Sequence, residues 1–86
     1  MTVSLEISAI RDELREHLAE VLYLDVSEID DDTTFRDLGL DSVLGVELVS
    51  VINAKYNLTE LVEAVFEHPT LNKLVSYISE RATGPS

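Results

Sequence analysis

The chain has no cysteine, six basic residues, two histidines and no apolar run longer than a few residues. Each scarcity removes a class of function. Without cysteine there is no disulfide framework, no thiolate metal site and no thiol nucleophile, so any thiol chemistry must arrive on an attached group. Six bases against seventeen acids give a formal net charge of −11. That sign opposes binding to nucleic acid or an anionic membrane and suits partners with Lys- and Arg-rich docking surfaces. No stretch approaches the ~20 apolar residues of a membrane span. Glu6, Asp12 and Glu13 stand where a signal peptide needs basic and then apolar residues, so a cytoplasmic location is expected. With His17 and His68 the only histidines, and no glycine-flanked serine elbow, a self-contained serine hydrolase is excluded.

What is present is enough for one folded unit. Apolar residues make up 45% of 86, so the acidity does not imply disorder. A chain of this size buries about 60% of its unfolded surface, enough for one small core and too little for a deep cleft with a catalytic shell.

From Val3 to Leu22 the apolar residues Ile7, Ile10, Leu14, Leu18, Val21 and Leu22 recur mostly at steps of three and four, predicting an amphipathic helix. Arg11, Asp12, Glu13, Arg15, Glu16 and Glu20 occupy its other face. Between Tyr23 and Leu40 the period fails, and Asp25, Ser27, Asp30-Asp31-Asp32 and Thr33-Thr34 are turn and loop formers. A structureless stretch this long must be pinned by its own apolar residues, here Val26, Ile29, Phe35, Leu38 and Leu40. Gly39 is expected to supply a positive φ ahead of the next helix.

Asp41 or Ser42 caps a helix reaching Tyr56, whose inward arc carries Leu44, Gly45, Leu48, Val49, Ile52 and Tyr56. Gly45 costs about 1 kcal/mol of helix propensity against alanine, which points to a close approach by another helix. The outward arc carries Val43, Val46, Glu47, Ser50, Asn53 and Ala54. Asn57 is a helix stop, and a short helix over Glu60 to Glu67 is expected to offer Leu61, Val62, Val65 and Phe66. Pro69 ends it. Thr70 caps a last helix striped by Leu71, Leu74, Val75 and Ile78. The expected fold is all-α: a small four-helix bundle, three main helices and one short, with a long pinned loop between the first two. Residues 1–82 form the domain and 83–86 a flexible tail.

Ser42 follows Asp41 at the mouth of the second helix. Alone, such a serine is a helix cap. Here it also follows a pinned loop, is exposed, and meets the free N–H groups and positive dipole end of a helix, which suit a phosphodiester. The acidic loop invites a calcium reading, with Asp30, Asp32 and Asp41 at positions 1, 3 and 12 of a binding loop. Phe35 replaces the glycine and Asp41 the bidentate glutamate that such a loop requires, so a solvated acidic loop is expected and no metal site. His17 beside the core stripe and His68 at a helix junction read as structural, His68 as a local hydrogen-bonding group.

The stretch from Val26 to Ile78 resembles the acyl carrier protein family. Leu38-Gly39-Leu40-Asp41-Ser42-Val43 is similar to the family's attachment motif, with Phe35 upstream. Phe66-Glu67-His68-Pro69-Thr70-Leu71 resembles the phrase before the last helix in polyketide-type carriers. The resemblance implies that Ser42 carries 4′-phosphopantetheine from coenzyme A, attached by a phosphopantetheinyl transferase, and that the arm's thiol holds acyl groups. It implies a non-catalytic monomeric carrier serving acyltransferase, ketosynthase or other acyl-processing enzymes with basic docking surfaces. Val43, Val46 and Glu47, beside the arm, are the candidate docking residues.

Asp41 stands where peptidyl carriers typically have histidine, favouring an acyl over an aminoacyl cargo. Glu47 is the sole acid after Asp41 on this helix, where fatty-acid carriers usually have several, so polyketide synthesis is favoured. Leu48 stands where some carriers that accept β-branching have tryptophan, and that subtype is not supported. Two alternatives remain at this point: an aminoacyl, peptidyl or D-alanyl carrier, and a helical interaction module with an unmodified serine.

Overall fold

The computed structural model describes residues 7–83, with the side chain of Thr83 excepted. Val3 to Glu6 of the expected first helix and positions 84–86 of the expected tail lie outside the described residues. The elements are α1 (Ile7–Leu22), a 3-10 turn (Val26–Glu28), α2 (Phe35–Leu38), α3 (Ser42–Tyr56), α4 (Glu63–Glu67) and α5 (Leu71–Thr83). The all-α expectation holds: α1, α3 and α5 are the three main helices, and no strand occurs among the described residues.

The helices form where the apolar period lies, and their buried stripes meet. Ile10, Leu14 and Leu18 of α1, Leu48 and Ile52 of α3, and Leu71, Leu74, Val75 and Ile78 of α5 are almost completely buried in one core. Each helix end has its own chemistry. Asp41, not Ser42, caps α3, its Oδ1 accepting from the Leu44 N–H at 2.8 Å. Asn57 stops α3 in the left-handed region at φ 56°. Thr70 Oγ1 accepts from the Lys73 N–H at 3.2 Å at the start of α5. At the end of α1 the left-handed residue is Tyr23, at φ 58°. The Leu24 N–H reaches back to the Ala19 carbonyl at 2.9 Å, and the Tyr23 N–H to that of Glu20 at 3.3 Å.

The connection from Tyr23 to Leu40 is less irregular than its composition suggests. Asp25 and Glu28 form a capping box around the 3-10 turn. Thr34 caps α2, and Gly39 closes it at φ 103°, the positive φ expected there. Phe35, Ile29 and Leu40 are buried and Leu38 is half-buried, as anchors should be. Val26 is not an anchor: it is 41% exposed, because the capped turn holds it outward.

Polar contacts secure the rest of this segment. The Phe35 N–H donates to the Pro69 carbonyl at 2.7 Å, and Thr34 bridges Thr70. Asp31 pairs with Arg15 and lies 3.9 Å from Arg11. Asn72 of α5 donates its N–H to the Asp31 carbonyl at 3.0 Å and its Nδ2 to Asp32 Oδ1 at 2.9 Å. The acidic loop, expected to be pinned by its apolar residues with its acids in solvent, is therefore also tied by Asp31 and Asp32 to α1 and α5.

Candidate functional site

Ser42 is the first residue of α3 and is exposed. With Asp41 Oδ1 taken up by Leu44, the N–H groups of Ser42 and Val43 are left ahead of the first intrahelical bond, from the Gly45 N–H to the Asp41 carbonyl at 2.8 Å. The Ser42 hydroxyl makes no hydrogen bond among the described residues. Behind it, Gly39 turns the chain and Leu40 is buried, so the serine is presented on a fixed corner. A free hydroxyl on an exposed helix N-terminus fits a covalently attached phosphodiester. The oxygen is accessible, and the helix end favours negative charge by roughly 0.3–1 kcal/mol at a surface site.

The three aspartates of the calcium reading are engaged elsewhere. Asp30 Oδ1 accepts from the Asp32 N–H at 2.8 Å, Asp32 accepts from Asn72, and Asp41 caps α3.

Val43 is 73% exposed, Val46 is 56% exposed, and Glu47 is exposed. The structure thus places all three expected docking residues on the solvent face of α3, in the two turns that begin at Ser42. Two of the apolar residues expected along the short helix are also at the surface: Leu61, 69% exposed, and Phe66, 51% exposed. The short helix starts at Glu63, not Glu60, and only Ala64 and Val65 turn their full side chains inward.

Gly45 explains how α4 sits so near. A Cβ on it would lie 3.1 Å from Val62 Cγ2 and 3.7 Å from Phe66 Cζ, so glycine lets these side chains rest on the α3 backbone. Phe66 also lines an apolar cleft of about 420 Å³ with Phe35, Leu40, Val65 and Pro69, opening two residues ahead of Ser42.

Asn53 does not face solvent with the rest of the outward arc. Its Nδ2 donates to the Glu60 carbonyl at 2.9 Å, and its Oδ1 accepts from the Glu60 N–H at 2.8 Å. The Glu60 carboxylate in turn accepts from Tyr77 Oη at 2.6 Å and Arg81 Nε at 2.7 Å. Burial pushes this carboxyl up, but the bonds from Tyr77 and Arg81, the Arg81 charge and His68 outweigh burial and hold it below the ordinary glutamate value. His68 stacks on Tyr77 with ring centroids 4.2 Å apart, so its role is ring packing and not the local hydrogen bond expected of it. No sequence pattern announces this cluster, because its members are far apart in the chain.

The family model described as the phosphopantetheine attachment site matches residues 12–78. The chain is 40% identical over 78 residues to the polyketide synthase PksL of Bacillus subtilis, covering 91% of this chain and 2% of that protein. It is 37% identical over 79 residues to the erythronolide synthase EryA3 of Saccharopolyspora erythraea, covering 81% of this chain and 2% of that one. The chain therefore spans a small fraction of the synthases it matches.

Among solved structures it is similar to the HMG-ACPI domain of the CurA module from Lyngbya majuscula. That match has 41% identity and a TM-score of 0.86, and covers 96% of this chain and 87% of that one. A free-standing peptidyl carrier protein from Acinetobacter baumannii shares the fold at a TM-score of 0.85 and 21% identity, covering 88% of this chain and 95% of that one. Domains of this family are non-catalytic. A phosphopantetheinyl transferase modifies them, and within synthases they work with other synthase domains. When bound, the covalent arm supplies the thiol that this chain lacks. The chain belongs to the phosphopantetheine-attachment carrier family, as an acyl-carrier-type domain that holds 4′-phosphopantetheine and itself catalyses no reaction.

Proposed function

We propose that Ser42 is the attachment residue and that the chain carries acyl intermediates of polyketide synthesis as thioesters on the arm. The observation that carries this reading is the exposed Ser42 hydroxyl on a corner whose neighbouring aspartate is already used as a cap. In the attachment, the Ser42 oxygen bonds to the phosphorus on the pantetheine side of coenzyme A, and the phosphoanhydride bond at that phosphorus breaks. The nucleotide portion leaves with the other phosphate, and the serine proton passes to water. Asp41 keeps α3 capped and its first turn rigid while this happens.

Partner enzymes approach the arm over Val43, Val46 and Glu47, an apolar patch with one charge. The partners are the phosphopantetheinyl transferase first, then acyltransferase, ketosynthase or other acyl-processing enzymes. The carrier acts as a monomer in the cytoplasm. Among the described residues no helix is long and apolar enough to cross a membrane.

The acyl reading is favoured over the aminoacyl one by the higher identity to a polyketide-module domain than to a peptidyl carrier. It is also favoured by aspartate, not histidine, before Ser42. The test is loading of the phosphopantetheinylated protein with malonyl, acyl and aminoacyl donors, read by intact mass. Acyl groups should load and amino acids should not. Loading by aminoacyl donors alone would reverse the assignment.

A further inference from the structure

The connection between α3 and α4 is short, non-helical and polar at its start, yet it holds Leu61 69% exposed above Val46. An apolar side chain kept in water on a loop needs a reason for staying there, and Glu60 supplies it. Its side chain is 9% exposed, and four hydrogen bonds converge on the residue. Asn53 grips its backbone from α3, while Tyr77 and Arg81 grip its carboxylate from α5. The next two residues, Leu61 and Val62, face Val46, Val49 and Ser50 across a groove of about 350 Å³. Val62 also rests against the backbone of α3 at Gly45, within one turn of Ser42.

A buried, hydrogen-bonded charge is a weak stabiliser compared with well-packed apolar residues, and its best-attested use is fixing one geometry. We propose that Glu60 is a positioning residue: gripped by Tyr77 and Arg81, it sets Leu61 and Val62 opposite Val46 so that the groove takes an apolar side chain of the phosphopantetheinyl transferase. Glu63 lines the groove and is exposed, and suits a basic residue flanking that side chain on the enzyme. The lowered pKa of the Glu60 carboxyl, held down by the bonds from Tyr77 and Arg81, is in keeping with a charged latch. The inference rests on the docking reading above, which places partner enzymes on this face of α3.

The test is steady-state kinetics of the transferase with the full-length protein as varied substrate, together with amide hydrogen exchange. Tyr77→Phe keeps the ring that stacks on His68 and removes only the hydroxyl. Arg81→Met removes the second donor from an exposed position. Each should raise KM for the carrier about fivefold with kcat little changed, the signature of lost binding common to ground and transition states. The Glu60 amide should exchange about tenfold faster in both, since its bond to Asn53 is then less protected. Val46→Asp tests the underlying face.

If Val46→Asp raises KM while Tyr77→Phe and Arg81→Met match the wild type, the docking face stands and the role of Glu60 is overturned. If Val46→Asp leaves KM unchanged, the docking reading fails and takes this inference with it. Faster exchange at Glu60 with wild-type kinetics would make the latch a structural tie only, and would also overturn the proposal.

Discussion

At the scale of residues, the polar side chains divide by how far they reach. Asp41, Thr34 and Thr70 bond to backbone N–H groups three residues ahead, so their roles follow from local rules. Gly39 was legible for the same reason. Asn53, Glu60, Tyr77 and Arg81 act across the bundle, and nothing in the neighbourhood of each residue says which partner it will meet. Tyr23 is a third kind: an aromatic side chain 93% exposed in a left-handed backbone. Such a conformation costs most L-residues about 1–2 kcal/mol, whereas asparagine enters it routinely, as Asn57 does at the end of α3. Tyr23→Asn should therefore stabilise the protein by about 1 kcal/mol and raise the melting temperature by roughly 4–8 °C. A lower melting temperature would mean that the ring contributes contacts in spite of its exposure.

Glu60 gives the pH prediction. Its folded pKa lies below the ordinary 4.5, so its contribution to stability is present above that value and is lost as pH falls through the folded one. The groups facing it are Tyr77 and Arg81, with His68 stacked on the Tyr77 ring and Glu67 near Tyr77. In urea titrations the stability gap between wild type and Tyr77→Phe should be full near neutrality and shrink once the carboxyl is protonated. A gap that persists unchanged into acid would show that the Tyr77 hydroxyl does not depend on the charged carboxylate.

At the scale of elements, the long helices were readable because period and caps agree. Ile10, Leu14 and Leu18 repeat every four residues and are all buried, and the stripe of α5 is buried without exception. The shorter pieces were not. The four residues of α2 are too few to show a period, and their helix depends on the Thr34 cap and the Gly39 stop. The short helix expected over Glu60 to Glu67 begins only at Glu63, and of the apolar residues expected along it Leu61 and Phe66 belong to the outer surface. The central anchor was legible: Phe35 is 3% exposed and joins the loop to the Pro69 carbonyl. Phe35→Ala should cost about 3–5 kcal/mol against the 5–15 kcal/mol of a typical whole domain. The variant should melt far lower or be unfolded by circular dichroism. An unchanged melting curve would contradict the packing of this segment.

At the scale of the whole molecule, charge governs encounter. Of the six basic residues, Arg11, Arg15, Lys55 and Arg81 are held in ion pairs with Asp12, Asp31, Glu13 and Glu60, leaving a strongly negative exterior. Glu13 pairs with Lys55 at 3.0 Å and adds to burial, the larger cause, in pushing the Tyr56 phenol up to about 12, so it is not a neutral surface position. Glu47 and Glu16 are both exposed, one beside Ser42 and one on α1. Glu47→Lys should slow arm transfer, most at low ionic strength, where the Debye length is about 30 Å at 0.01 M against 8 Å at 0.15 M. Glu16→Lys makes the same charge change away from the docking face and should matter less. Equal effects of the two would mean that net charge, not the α3 face, steers the partner.

The carrier role itself rests on one oxygen atom. Intact-mass analysis after incubation with coenzyme A and a phosphopantetheinyl transferase tests it directly, with wild type and Ser42→Ala side by side. The wild type should gain a single phosphopantetheinyl group, and Ser42→Ala, with its helical content unchanged because Asp41 still caps α3, should gain none. A Ser42→Ala protein that still acquires the arm would contradict the account.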